Sequence, residues 1–192
     1  MKTIAISGSL RGDVGKRDAK ELRYEGKVPA VLYGGKSQLH FSVLATDLKP
    51  VVYTPDVHFV ELTVGDVTAQ AIIQDIQFHP LTEQMLHVDF MELNAGKPLV
   101  MEIPVKLTGT SPGVKVGGKL IQKLRKLRVK ALPDSIPQYV EISLETLEVG
   151  KSVRVGDLKF PDFAITNNVD DTIVSVGMSR ALKQAEQDAK GK

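Results

Sequence analysis

Apolar residues recur at every second position through most of the chain, and only short stretches carry them at helical spacing. Ile4 and Ile6 alternate with Thr3, Ala5 and Ser7, which predicts a first strand. Gly8, Gly12 and Gly15 then mark a loop interrupted by Arg11 and Lys16. From Lys16 to Gly26 the positions of Ala19, Leu22 and Arg23 predict a short helix, with Gly26 as its C-cap. Pro29 bars continuation, and Ala30 to Tyr33 reads as a strand ending at Gly34-Gly35. Leu39 to Val43 is a further strand, and Thr46 is the expected N-cap of a weak helix over 47–53. Phe59 to Val64 alternates with period two, and Gly65-Asp66 turns it back into Val67 to Asp75 as a hairpin. Ile76 to His79 and Met85 to Leu93 complete a strand-rich region. Many short strands with glycine-containing turns favour a small barrel over a sandwich.

The chain punctuates strongly at Asn94-Ala95-Gly96-Lys97-Pro98, which places a domain boundary there. Beyond it Met101, Ile103, Val105 and Leu107 share one side of a strand over 100–107. A glycine-rich stretch over 109–118 follows. Strands are then expected at 119–121, 127–131, 140–143 and 152–155, with core residues at 144–147, 158–160 and 173–176. Prolines 133, 137 and 161 break any long helix. The expectation is a mainly β protein with a minor helical part: a first domain over residues 1–94, a second β-rich domain over 95–178, and a helix-prone or disordered tail over 179–192.

Aromatic residues make up only 5% of the 192 residues and tryptophan is absent, so Val, Ile and Leu must fill the cores. With no cysteine, disulfides and thiolate metal sites are excluded, and a reducing compartment fits. No apolar run approaches the ~20 residues a membrane helix needs, and the N-terminus lacks a signal-peptide h-region. The expected setting is therefore the cytoplasm. The formal net charge of +2 hides a segregation along the chain. Residues 1–40 carry eight Lys/Arg against four acids, whereas residues 41–94 carry one lysine against eight acids. Residues 95–192 return to a surplus of five positive charges, sixteen bases against eleven acids.

Motifs for catalysis are missing. No Gly-x-Ser-x-Gly elbow is present, and a thiol nucleophile is impossible. Gly15-Lys16 has no glycine five positions before Gly15, and Arg17 stands where a phosphate-cradling loop needs Ser or Thr. The four histidines (His40, His58, His79, His87) include no pair at helical ligand spacing. His87 and Asp89 lie two apart on a predicted strand, so both point to one face and one carboxylate can orient one imidazole. The densest basic stretch, Lys123 to Lys130, fits a strand with Leu127, Val129 and Ala131 inward and Arg128 and Lys130 outward. Phosphate binding there is the alternative. The segment Arg11 to Tyr33 differs in kind. It interleaves Arg11, Lys16, Arg17, Lys20 and Arg23 with glycines and ends in a tyrosine at a strand terminus, a mixture suited to phosphates, 2′-hydroxyls and base edges.

Gly15-Lys16-Arg17-Asp18-Ala19-Lys20-Glu21-Leu22-Arg23-Tyr24-Glu25-Gly26-Lys27-Val28-Pro29-Ala30-Val31-Leu32-Tyr33-Gly34 resembles the signature of the bacterial large-subunit ribosomal protein family numbered twenty-five, in its longer two-domain form of the general stress protein CTC type. His87-Val88-Asp89-Phe90 is similar to that family's second N-terminal motif. Gly109 to Gly118, Leu132 to Pro137 and Leu147 to Gly150 resemble its C-terminal domain. The resemblance implies a six-stranded β-barrel that binds 5S ribosomal RNA at its irregular loop E, a non-enzymatic role in the large ribosomal subunit, and neighbours within that subunit as partners. No small-molecule substrate, membrane partner or protein-held cofactor is implied, and magnesium is held by the RNA. Carried over by motif, Arg23, Tyr33, His87 and Asp89 are the implied RNA contacts, followed by Arg11 and Lys16 in the glycine loop and then Lys20. Asp75, Gln77 and His79 fall on the adjoining strand, where the family places polar groups. Asp18, Lys20 and Glu21 stand where the family usually carries more arginines, which lowers the expected number of phosphate contacts. Two rivals accompany this reading: a transfer-RNA-binding module, since a related barrel occurs in a synthetase anticodon-binding domain, and a metal-dependent enzyme using His79 and His87.

Overall fold

In the computed structural model, which describes residues 2–35, 37–94 and 96–178, the alternating runs of the first half pair edge to edge until no strand edge is left open. They run β1 (Lys2–Leu10), α1 (Lys16–Tyr24), β2 (Lys27–Tyr33), β3 (Leu39–Leu44), α2 (Ala45–Val52), β4 (His58–Val64), β5 (Val67–Phe78) and β6 (Met85–Glu92). The six strands close into a barrel in the order β1-β3-β2-β6-β5-β4. Closure rests on two parallel pairs between strands distant in sequence, β1 with β4 (Lys2 beside His58 through Gly8 beside Val64) and β2 with β6 (Ala30 beside Val88 through Tyr33 beside Met91). The interior is a continuous cluster of Ile6, Val28, Ala30, Leu32, Phe41, Val43, Val60, Leu62, Val64, Ala71, Val88 and Phe90, joined by Leu48 of α2. Phe41 and Phe90 meet there with ring centroids 5.7 Å apart, while Ala30 and Ala71 leave them room. Alternating large and small residues is how a barrel this small fills its bore.

Several local expectations change. Gly8 lies inside β1, not in the loop after it, and a Cβ there would sit 2.7 Å from the Phe41 ring. The glycine thus lets β1 pass close over one of the two largest side chains of the interior. Residues 76–78 continue the strand expected to stop at Asp75, because an irregularity between Ile73 and Asp75 bends β5 without breaking it. His79 lies one residue past that strand. The helix expected over 47–53 begins at Ala45, and Thr46 is its second residue, not its cap. Gly26 does close α1, in the left-handed region at φ 76°.

The division between the two units of the chain falls between Lys97 and Pro98. The second unit contains β7 (Leu99–Thr108), α3 (Pro112–Lys115), β8 (Lys119–Gln122), β9 (Lys126–Ala131), β10 (Val140–Ser143), β11 (Ser152–Arg154), β12 (Ala164–Ile165) and β13 (Thr172–Gly177). They form a four-stranded sheet, β10-β7-β9-β12, and a three-stranded sheet, β11-β13-β8. Leu99, Ile103, Leu127, Val129, Val140, Ile142, Ile173, Val174 and Val176 are buried as its core. The glycine-rich stretch holds a turn of helix, α3. Ser111 caps it, accepting from the Val114 N–H and donating to the Leu147 carbonyl. The helix-prone tail expected over 179–192 lies outside the described residues.

Candidate nucleic-acid interface

The outer face of the barrel differs sharply from its bore where β5, β6 and β2 lie side by side. Ala71 and Ile73 of β5 belong to the interior cluster, so simple alternation would turn Asp75 inward as well. The irregularity at Gln74 inserts one residue, and Ile76 becomes the next to pack inside. Asp75 and Gln77 are thereby turned outward. Across the ladder Asp75 stands opposite Asp89, and Gln77 opposite His87. On the other side of β6, Val31 of β2 lies beside Asp89 and Tyr33 beside Met91. Five polar side chains from three neighbouring strands therefore share one patch.

Within the patch, His87 Nδ1 is 2.7 Å from Asp89 Oδ1. An ionised carboxylate only accepts, so Nδ1 is the donor, and Nε2 is not used by this pair. Asp75 Oδ1 accepts from the Ile76 N–H at 2.9 Å, which leaves its other oxygen for a partner. The Tyr33 phenol has its pKa raised above the ordinary 10.0, first by burial and then by the charges of Asp89 and Asp75. It stays protonated and can donate. The strand end that carries it is fixed by Gly34, at φ 96°, whose carbonyl accepts from Asn94 Nδ2 at 2.9 Å. Two carboxylates directly opposite each other on adjacent strands repel, an arrangement that does nothing for the barrel by itself.

Helix α1 packs along β2 at the rim of this patch. Arg23 reaches from it to β6, donating from Nε at 3.0 Å and Nη2 at 2.8 Å to the carbonyl of Leu86, the residue before His87. One guanidinium edge thus holds the helix in place while its other donors remain exposed. Lys16 and Lys20 are exposed on the same helix, and Lys20 Nζ lies 5.8 Å from the ring centroid of Tyr24. Tyr24 is 80% exposed beside Arg23, and the sequence reading did not single it out. The i, i+4 spacing of Lys20 and Tyr24 was the available signal.

Two expected contacts are placed differently. The Arg11 side chain is only 7% exposed and is spent on Asp18, with Nε 3.0 Å from Oδ2 and Nη2 also bonded to it. It ties the end of β1 to the start of α1 and does not face outward as a free cation. His79 sits in the turn between β5 and β6. Its Nδ1 accepts from the Leu81 N–H at 3.3 Å and the Thr82 N–H at 3.2 Å, so that side of the ring is used by the turn itself. Among the described residues no group of three or more His, Asp or Glu is placed to hold a metal ion, and no helix is long and apolar enough to cross a membrane.

Comparison with known proteins gives the same two-part division. The Ribosomal L25p family matches residues 6–90, and the C-terminal domain of ribosomal protein TL5 matches residues 98–180. A large ribosomal subunit protein bL25 from Porphyromonas gingivalis is 42% identical over 187 residues, covering 96% of this chain and 97% of the relative. Its counterpart from Cytophaga hutchinsonii is 43% identical over 186 residues, covering 97% of each. That from Amoebophilus asiaticus is 40% identical over 192 residues, covering all of this chain and 98% of the relative. With both halves matched in order and relatives aligned end to end, the chain belongs to the bL25 family of bacterial large-ribosomal-subunit proteins, in its two-domain form, and is a structural, non-catalytic component of the ribosome.

Proposed function

We propose that the barrel binds 5S ribosomal RNA at its loop E, through the outward patch of Tyr33, Asp75, Gln77, His87 and Asp89, with α1 alongside. The observation that carries this reading is the like-charged pair Asp75 and Asp89, held directly opposite each other on the exposed face beside an oriented imidazole. Carboxylates repel phosphate, so a plain nucleic-acid backbone is the wrong partner for the centre of the patch. They accept well from exocyclic amino groups and 2′-hydroxyls, which a shallow or irregular RNA groove displays. The cations sit at the rim, where Arg23, Lys16 and Lys20 of α1 hold phosphates along the side of the patch next to β2. Magnesium in such a complex belongs to the RNA, since phosphates and distorted base pairs offer oxygens that this patch does not arrange. The setting is the bacterial cytoplasm, on the large subunit, among neighbouring ribosomal components. A transfer-RNA module has no separate observation in its favour.

The test is a pair of substitutions read by titration against a loop E hairpin. Arg23→Ala and His87→Ala should each weaken binding by about 1–3 kcal/mol, the range for a specific contact. Wild-type affinity in both variants would remove the site from this face.

A further inference from the structure

The second unit carries a cationic row that the barrel site does not use. From Lys119 to Ala131 the chain has six Lys/Arg and no acid. On β9 the alternation is complete: Leu127, Val129 and Ala131 are buried, while Lys126, Arg128 and Lys130 are exposed on one face. Successive outward side chains on a strand emerge about 6.6–6.8 Å apart, close to the spacing of successive phosphates along an RNA strand. What flanks the row matters as much as the row. Opposite Lys130 stand Val100 of β7 and Ala164 of β12, and opposite Lys126 stands Pro104, so these cations face small or apolar neighbours. Only Glu102 lies among them, 3.6 Å from Arg128 and 3.9 Å from Lys126, and all three side chains are more than half exposed, so this pairing is weak. Lys106 extends the positive face along β7, its Nζ 4.5 Å from the Tyr139 ring centroid, with Glu141 across the ladder. The backbone under the row is held on its outer side. Asn167 Oδ1 accepts from the Arg128 N–H at 2.7 Å, and the Arg128 carbonyl accepts from the Thr166 N–H at 2.8 Å.

We infer that this face is a second RNA contact, in which Lys126, Arg128 and Lys130 track consecutive phosphates of an A-form strand without reading sequence. It is independent of the barrel patch in both residues and chemistry. Phosphate is held at the second site, whereas carboxylates repel it at the centre of the first.

The full-length protein is titrated against a plain RNA duplex lacking loop E, across a range of salt. The triple variant Lys126→Glu, Arg128→Glu, Lys130→Glu should lose at least tenfold in duplex affinity at low salt. Its log–log salt slope should be shallower by about 2–3, roughly one per phosphate contact removed. A control of equal net charge, Lys115→Glu, Lys151→Glu, Lys159→Glu, uses exposed lysines elsewhere on the unit and should lose much less. Thermal melting of each variant checks that the fold is kept. The proposal is overturned if the β9 variant keeps its duplex affinity and slope, or if both triples lose equally, since net charge alone would then explain the loss. Failure of the barrel site shows separately, as an unchanged hairpin preference in His87→Ala.

Discussion

Tyr33 shows how a single side chain reports on its surroundings. Its phenol is partly withdrawn from water and lies near two carboxylates, both of which disfavour a phenolate. Unfolding frees it to ionise at its ordinary value, so the unfolded chain loses this proton first as pH rises. The contribution to stability is therefore whole below pH 10 and is lost as pH climbs through the higher folded value. Tyr33 should give its tyrosinate absorbance later than an ordinary phenol, above 10.0, and Tyr33→Phe should delete that late component. Asp89→Asn should move it part of the way back toward 10.0, because burial, the larger cause, remains. A late component that survives in Tyr33→Phe would place the raised pKa elsewhere. At this scale the sequence is readable where chemistry is local. His87 and Asp89 share a face because they lie two apart on a strand, and they are hydrogen-bonded. Arg11 was not readable. Its partner is seven residues away, and the pairing exists only once α1 has docked, so a cation that looks free on paper is mostly covered.

Elements were legible as far as their periodicity is local, and illegible where one residue changes the phase. β10 was expected at the residues it occupies, since its alternation is clean. In β5 the extra residue at Gln74 reverses the facing of everything after it, and no pattern of apolar residues announces such a shift in advance. The share of the polar patch that β5 contributes, Asp75 and Gln77, depends on it. The cross-strand pair it creates leads to a prediction in which stability and recognition move oppositely. Asp75→Asn removes the repulsion with Asp89 yet can keep the hydrogen bond from the Ile76 N–H, so thermal stability should rise by about 0.2–1 kcal/mol. The preference for the loop E hairpin over a duplex should fall in the same variant. A loss of stability would mean that the carboxylate pair supports the barrel after all. In the second unit, Gly113 marks a close approach of a different kind. A Cβ there would lie 2.7 Å from the Val149 nitrogen and 2.8 Å from the Glu148 carbonyl carbon, both backbone atoms that cannot turn aside. Gly113→Ala should cost about 1–3 kcal/mol by denaturant unfolding, as other overpacked sites do. An unchanged midpoint would show that the α3 turn has slack.

The molecule as a whole is built of two units with separate cores, each filled from its own segment of the chain. Barrel closure could not be derived from pattern alone. It needs β1 beside β4 and β2 beside β6, and parallel pairing between distant strands leaves no mark on either sequence. Recognition of the family motifs supplied what periodicity could not, and the matched relatives run the full length of both units. The segregated charge also acquires a physical meaning at this scale. Acids concentrated in residues 41–94 include those at the centre of the patch, while bases from residues 1–40 line its rim. Such a surface should discriminate between RNA shapes more than it attracts RNA in general. The most direct measurement is a titration of the full-length protein against a loop E hairpin and a fully paired duplex of equal length, with salt varied. Tighter binding to the hairpin is expected, with a preference that survives as salt weakens both complexes. Equal binding to the two RNAs, disappearing together as salt rises, would contradict it and leave only unspecific attraction by exposed lysines and arginines.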